Sequence, residues 1–192
     1  MSAPRIEIPV IDKETVKVRI RSAFAHVRCP LVQNLVSSWQ GDEPELVVEA
    51  FKDKKDWRTL TLEFLIQAPE DTDASPLHFF SAEAFHFYFP AYLIADIDFD
   101  LTKSDPVFHL THGLTEESKN DHLGPGERTW WDFAVYKFSI FNKEEALAIV
   151  AYLEFKMENG DSPDKPRIRE ALENYWYERA GKKIGHKAAD RA

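Results

Sequence analysis

Histidine is the residue type in this sequence whose placement most suggests chemistry. Five of the seven histidines lie between His78 and His122. His109 and His112 are three residues apart, a spacing that brings two side chains to one face of a helix. Zinc binds neutral imidazole, usually together with at least one further ligand from the protein. That further ligand would come from His122, Asp121 or Glu116.

The surrounding sequence argues against such a metal site. The segment FHLTHGL predicts extended chain rather than helix, and no other group of residues has ligand spacing. The sequence also has no glycine-rich phosphate loop, no nucleophile elbow, no Cys-x-x-Cys pair and no His-Glu-x-x-His. We therefore assign no catalytic, metal-binding or cofactor-binding residue and expect no cofactor.

An aromatic cluster is the second group of residues that could hold a ligand. A ring-shaped molecule can stack on tryptophan, phenylalanine and tyrosine side chains. Such residues also anchor cores and interfaces, and we favour that simpler role here. The cluster consists of Trp130, Trp131, Phe133 and Tyr136.

The stretch SAEAFHFYFPAYLIAD, residues 81–96, must position much of this chemistry. Ser81 is a good helix N-cap, and Glu83 suits the positive end of the helix dipole. The uncharged part would span about 18 Å as a helix, against about 30 Å for the hydrocarbon core of a bilayer. It is apolar almost all round, so we predict the central helix of the domain rather than a membrane span.

Pro90 lies in the middle of this predicted helix. A proline there cannot donate to the carbonyl of His86, so the helix should kink, or break and restart. We favour a purely structural bend, with the freed carbonyl satisfied by water or a side chain. The functional alternative is a small polar pocket formed by His86, Tyr88 and Tyr92, and these three are the pocket candidates.

Three further helices are predicted from their ends. Asp12 is a plausible N-cap for the first helix of the chain. Asn142 and Glu145 form an N-x-x-E capping box ahead of an apolar stripe. The last helix should begin near Pro166 and end with Gly181 as the residue after its C-cap.

Two segments leave the choice between helix and strand less clear. The segment WWDFAVYKFSIF alternates, so we predict a small β element near residues 133–140. Residues that would share one face of this strand are Ala134, Tyr136, Phe138 and Ile140. Residues 60–68 alternate as well, but Thr61 could cap a short helix, and we favour the helix there.

Size and charge limit the class of protein. The 192 residues, 44% of them hydrophobic, suit a single globular domain over residues 1–181 with a frayed basic tail at 182–192. The net charge of −9 disfavours nucleic acid and anionic membranes as partners and is compatible with a basic protein partner. Cys29 is the single cysteine, which excludes an internal disulfide. The N-terminus has no apolar signal region, so we expect a cytoplasmic protein.

Three segments together resemble a known family. FFSAEAFHFYFPAYLIA, FNKEEALAIVAYLEF and ALENYWYERA resemble an uncharacterised bacterial family whose members carry an E-A-F-x-[YF]-[YF]-[LF]-P-A-[YF]-L helix. Phe89 stands where many members have leucine, a difference of packing rather than chemistry. The resemblance implies a bacterial, cytoplasmic, single-domain protein. The family is a domain of unknown function, so the resemblance implies no activity and no site residue.

We predict an α+β, mainly α, single compact domain with a central proline-kinked helix. The leading functional hypothesis is a non-enzymatic binding or regulatory protein whose acidic surface meets a basic protein, and an immunity-like role is one form of it. The alternative is a small hydrolase-like enzyme, with or without a metal, that has a pocket at the His86/Pro90 kink. A third hypothesis is a pocket for an apolar ligand along the aromatic helix.

Overall fold

The computed structural model describes residues 12–67, 69, 74–159 and 163–182, and within them the chain is mainly helical, as predicted. Its α-helices are α1 (Lys13–Ala23), α2 (Glu43–Phe51), α3 (Leu62–Gln67), α4 (Ala82–Phe99), α5 (Pro106–Thr111), α6 (Trp130–Phe138), α7 (Lys143–Asn159) and α8 (Lys165–Ala171). After α8 the chain continues through a π turn, Leu172–Trp176, into the short helix Tyr177–Arg179. Short 3₁₀ turns are Val32–Asn34, Trp57–Thr59, Pro76–His78 and Glu117–Lys119.

Helix α4 is the central helix, as its all-round apolar sequence predicted. It packs against α1, α3, α5 and α7. Phe89, Tyr92 and Leu93 on α4 are fully buried. The helix continues through Pro90 without interruption, so the predicted alternative of a break and restart is wrong. Pro90 still removes the N–H that would donate to the carbonyl of His86.

A buried carboxylate ties the end of α4 to α7. Asp96 is 4% exposed, and it accepts hydrogen bonds from the Tyr152 hydroxyl at 2.6 Å and from the Leu101 N–H at 2.7 Å. The Lys156 ammonium lies 3.0 Å from Oδ2, the carboxylate oxygen that also accepts from Tyr152. A buried charge needs this many partners because it has lost its hydration. These contacts of Asp96 with Tyr152 and Lys156 hold the C-terminal part of α4 against α7.

The helix ends predicted from the sequence are confirmed. Asp12 caps α1 by accepting from the Thr15 N–H. The Asn142 amide oxygen accepts from the Glu145 N–H, while Glu145 accepts from the Asn142 N–H, which makes the predicted capping box. Gly181 has a φ of +65° after the last helix, a conformation that favours glycine.

The two segments whose alternation fits both helix and strand fold as the helices α3 and α6. Thr61 caps α3, because its hydroxyl accepts from the N–H of Phe64, and the preferred helix is confirmed for Leu62–Gln67, while residue 68 lies outside the described residues. The tail predicted to fray at residues 182–192 lies outside the described residues except for Lys182.

The small β element predicted near residues 133–140 is wrong, because Trp130–Phe138 is the helix α6. Ala134 and Phe138 are buried, whereas Tyr136, which the strand would have placed on their face, is 80% exposed. No sheet forms in the described part of the chain, where strand-type pairing is limited to two isolated bridges. These bridges pair Val36 with Phe80 and His122 with Thr129.

A capping box at Thr129 explains why this segment is helical. The Thr129 hydroxyl accepts from the Asp132 N–H at 3.2 Å, and the Asp132 carboxylate accepts from the Thr129 N–H at 3.0 Å. Two N–H groups that a helix start leaves without partners are thereby satisfied. The cap outweighs the strand preference of the aromatic residues that follow it.

Replacement of Thr129 by alanine should therefore destabilise the protein by about 1 kcal/mol, because the first turn of α6 loses this cap. Thr129→Ser keeps the hydroxyl and should lose less than half of that amount. Urea unfolding of both variants measures the difference. Equal losses for alanine and serine would show that the hydroxyl does not cap α6.

None of the helices within the described ranges combines the length and the hydrophobicity that a bilayer crossing requires.

Candidate functional site

An aromatic cavity of about 510 Å³ lies between α4, α5, α6 and the 3₁₀ turn Pro76–His78. This volume is within the range of small-molecule sites in proteins. The side chains that matter for its chemistry are Phe85, Phe108, Trp130, Phe133, His78, His109, His112 and Lys137. We call this space the aromatic cavity.

The aromatic cavity has a buried floor and an exposed rim. Phe85 and His109 form part of the floor, with exposures of 3% and 5%. Phe133 and Tyr136 belong to the rim and are 48% and 80% exposed. Large apolar side chains at the mouth of an open cavity are available to a ligand. The site therefore offers ring faces both inside and at its entrance.

Two local features position α6 as one wall of the aromatic cavity. The Thr129 cap fixes where the helix begins, and Phe133 and Lys137, four residues apart, then lie on one side of it. Gly113, after α5, allows α6 to approach closely. A Cβ on Gly113 would lie 2.7 Å from the Trp130 carbonyl oxygen and 2.9 Å from the Ala134 Cβ.

The three histidines of the aromatic cavity pack as aromatic rings. His109 lies against His78, with ring centroids 4.7 Å apart. His112 stacks on Phe108 at 5.0 Å and meets the edge of Trp130 at 4.7 Å. These contacts join α5 to α6 and to the 3₁₀ turn.

Burial keeps these imidazoles uncharged. It lowers the pKa of His109 to about 2, with a further lowering from the charge of Lys137. The pKa values of His78 and His112 are lowered mainly by burial as well. At neutral pH the three rings are therefore neutral hydrogen-bonding groups rather than cations.

Lys137 carries the amine of the aromatic cavity. Its Nζ lies 4.3 Å from the ring centroid of Phe85 and 5.6 Å from that of Phe138. Among the described residues, no carboxylate forms an ion pair with it. Burial, without a compensating charge, lowers the pKa of Lys137 to about 8. An amine of this kind is less strongly protonated than an ordinary surface lysine.

The arrangement can hold a flat apolar molecule and present one amine and several neutral imidazoles to its polar end. A desolvated lysine in an apolar pocket is also a nucleophile, because a fraction of it is unprotonated at neutral pH. The site has no nucleophilic hydroxyl or thiol paired with a base among its lining residues.

The structure brings together the two residue groups that the sequence singled out. His109 and His112 both line the aromatic cavity, although the interpretation of FHLTHGL as extended chain is wrong, because Pro106–Thr111 is helix α5 with Asp105 as its cap. Three of the four clustered aromatic residues also line it. The fourth, Trp131, lies outside and packs under Lys119 at 4.8 Å.

The proposed zinc ligands do not assemble. Within the described residues, no group of three or more His, Cys, Asp or Glu side chains could hold a metal ion. His122 instead pairs with Thr129 in an isolated bridge. The Glu116 carboxylate binds the ammonium of Lys119 at 2.6 Å. The metal-dependent hypothesis therefore has no ligand set in this part of the chain.

The pocket candidates on α4 face different surroundings. The His86 ring contacts the buried Glu145 carboxylate at 2.8 Å, and His26 lies 3.4 Å from the same oxygen. The Tyr88 hydroxyl donates to the Lys54 carbonyl at 2.7 Å. These contacts tie α4 to neighbouring segments.

Tyr92, the third candidate, is fully buried, and its hydroxyl has no hydrogen-bond partner among the described residues. Burial raises its pKa well above the usual range. His86 lines a surface cleft together with His26 and Cys29. A functional pocket at the Pro90 position stays a prediction.

Phe85, Phe108 and Lys137 are site residues that the sequence did not reveal. The T-x-x-D pattern at Thr129 is a capping signal that would have predicted α6 and placed Lys137 beside Phe133. No local pattern indicates that Phe85 faces Lys137, because the two lie more than fifty residues apart in the chain.

Comparison with known families gives one match. The model of a family described as "Family of unknown function (DUF6714)" matches residues 12–180. No curated protein and no solved structure matches the chain. The aromatic cavity lies within the matched residues.

Proposed function

The chain belongs to DUF6714, a family of unknown function, and we propose that it is a non-enzymatic binding protein whose aromatic cavity takes a flat, largely apolar small molecule. The observation that carries this proposal is the cavity itself, about 510 Å³ and walled by aromatic rings from three helices. The proposal unites the binding hypothesis from the sequence with the hypothesis of an apolar ligand.

The shape of the aromatic cavity favours a planar ligand. Phe85 lies in the floor, and Phe133 stands at the entrance next to Trp130, with the two ring centroids 6.1 Å apart. A planar molecule entering this space can contact ring faces and ring edges on several sides. Such aromatic contacts contribute about 0.5–1.5 kcal/mol each beyond simple burial.

The aromatic cavity has few polar groups, and they are better suited to orienting a bound ligand than to catalysing a reaction. Three neutral imidazoles, one amine and the exposed phenol of Tyr136 are the titratable groups among its lining residues. Binding sites commonly combine apolar walls with a few polar groups that fix ligand orientation. This composition supports a ligand with an extended apolar body and a single polar end.

The probe 2-naphthylmethanol tests this proposal because it has a planar apolar body and one polar end. At about 0.5 kcal/mol per heavy atom, within the range for small ligands, it should bind with a Kd of tens of micromolar. Phe133→Ala should weaken binding about fivefold to tenfold, because one aromatic contact is lost. Isothermal titration calorimetry measures both quantities.

Phe99→Ala is the matched control for this experiment. Phe99 is 59% exposed, close to the 48% of Phe133, but it lies at the far end of α4 and does not line the aromatic cavity. Its replacement should leave the affinity unchanged. The proposal is wrong if the probe does not bind below millimolar concentration, or if both variants weaken binding equally.

An acidic surface that binds a basic protein partner stays a separate prediction from the net charge of −9. Capture on the immobilised protein at low and high salt tests it, because a charge-driven complex must weaken as salt screens the charges. The hydrolase-like alternative at His86 would require turnover that His86→Ala abolishes and Phe133→Ala does not.

A further inference from the structure

We propose that Lys137 captures a carbonyl compound, an aldehyde or ketone with a flat apolar body, as an imine inside the aromatic cavity. The inference rests on the proposed function, because it assigns the polar end of the same ligand. It goes beyond that function because it assigns a covalent bond, the imine, and the residue that forms it, Lys137. The carrying observation is an amine that faces an apolar cavity and has no acidic partner among the described residues.

Lys137 lines the aromatic cavity, whereas Lys54, which also lies over an aromatic ring, that of Phe64, at 4.5 Å, does not. Lys119 also lies over an aromatic ring, but it is paired with Glu116 at 2.6 Å. Lys156 is paired with Asp96 and Asp100. An ion pair holds a lysine in its protonated form.

The Lys137 amine lacks that stabilisation. It lies against the faces of the buried rings of Phe85 and Phe138. With a pKa of about 8, about one tenth of the amine is unprotonated at pH 7. This fraction is sufficient for nucleophilic attack, because protons exchange far faster than imines form. Desolvated lysines react with carbonyl groups in this way.

The chemical step requires no oxidant or reductant. The nitrogen lone pair of Lys137 attacks the carbonyl carbon, and the oxygen takes up a proton to give a carbinolamine. The nitrogen loses one proton, a second proton adds to the hydroxyl, and the nitrogen lone pair forms the C=N bond as the C–O bond breaks and water leaves. The protonated imine then releases its remaining N–H proton. The products are one imine and one water, so atoms and electrons balance. The imidazoles of His78 and His112 line the same cavity and can relay these protons.

A carboxylate ligand is the competing choice, and the cavity favours it less. Lys137 supplies a single charge, while burial keeps the pKa values of the neighbouring imidazoles below their usual range, so they add no second charge. An anion would also have to enter a protein of net charge −9. A neutral carbonyl compound meets neither obstacle.

The test uses 2-naphthaldehyde followed by sodium borohydride, which reduces an imine to a stable secondary amine. Intact mass should increase by one naphthylmethyl group per chain, and peptide mapping should place that group on Lys137. Lys137→Arg keeps the charge but cannot form the imine, so labelling should fall at least tenfold. Lys119→Arg is the matched control and should label like the original protein.

Two further measurements separate this inference from the proposed function. An excess of 2-naphthylmethanol, which has the same body without the carbonyl, should block labelling. If the alcohol binds but the aldehyde labels several lysines in proportion to their exposure, the imine is wrong and the binding function stands. If the alcohol does not bind and Lys137 is not labelled, both are wrong.

Discussion

Lys137→Met is expected to stabilise the folded protein at pH 7 by about 1–2 kcal/mol, an unusual direction for a point mutation. The ammonium is half-buried without an ion pair among the described residues, so it has lost hydration with little in return. The contact with the Phe85 face offsets part of this cost. Methionine has a similar length and packs against the same rings without a charge.

The gain should depend on pH in a specific direction. Lys137 has a pKa of about 8 in the folded protein, below the ordinary value of 10.5 that applies when it is unfolded. Below pH 8 both states carry the charge, and the folded protein bears the full cost. Between pH 8 and about 10.5 the folded state releases its proton first, so the cost declines, and above that range it is gone.

Urea unfolding of both proteins from pH 7 to pH 10 measures this difference. The stability advantage of Lys137→Met over the original protein should shrink steadily across the series. His78, His109 and His112 are present in both proteins, so their contribution to the pH dependence largely cancels in the difference. Lys119→Met, on an ion-paired surface lysine, should give no gain at any pH.

Gly113→Ala is expected to cost about 3 kcal/mol, the largest loss predicted for any variant here, and to weaken binding of 2-naphthylmethanol. The backbone at Gly113 has a φ of +83°, which strains any residue with a Cβ. The added methyl would also meet the Trp130 carbonyl oxygen at 2.7 Å. Because that oxygen belongs to the first turn of α6, the clash must displace a wall of the aromatic cavity.

Gly124→Ala separates the two causes of the loss expected at Gly113, which are backbone strain and the clash of the added methyl group. Gly124 has a φ of +69°, but nothing lies within 4 Å of where its Cβ would be. Its replacement should cost about 1 kcal/mol from backbone strain alone and leave binding unchanged. Equal losses of stability for the two variants would show that Gly113 does not set the distance between α5 and α6.

The parts of the fold that the sequence predicted are those with local causes. The cap at Asp12 and the capping box at Asn142 depend on residues three apart in the chain. The central position of α4 follows from its apolar composition on all sides. Each of these signals lies within one segment, so no knowledge of distant contacts is needed to interpret it.

Helix α6 was mistaken for a strand for a physical reason. Ala134 and Phe138 are four residues apart, and this spacing puts both on one face of a strand as well as of a helix. Tyr136 decides between the two, because a strand buries it with its neighbours and a helix turns it to solvent. In the sequence, only the capping box at Thr129 distinguishes the helix from a strand. The acidic residue of this capping box is Asp132 instead of the more familiar glutamate.

The aromatic cavity could be predicted only in part. Its histidines and several of its aromatic residues were recognised as possible ligand-binding groups from their types and spacing. Their convergence was not predictable, because His78, Phe85, His109 and Lys137 come from four separate segments. The low pKa of Lys137 likewise results from burial against α4, a property of the assembled fold.

The prediction for Lys137→Met and the functional proposals concern the same residue. Its charge is expected to lower stability, and it lies at the wall of a cavity that it can serve. Functional sites commonly carry groups that the fold would be more stable without. Lys137 fits this pattern because its removal should stabilise the protein and abolish capture of the aldehyde.

The central claim is that the aromatic cavity is the ligand site of this protein. A crystal structure determined with 2-naphthylmethanol bound tests it most directly. We predict electron density for the naphthalene ring between Phe85 and Phe133, with its hydroxyl directed toward Lys137. Density in the cleft beside His26 and Cys29 instead, or an aromatic cavity that holds only water at saturating probe, would contradict the claim.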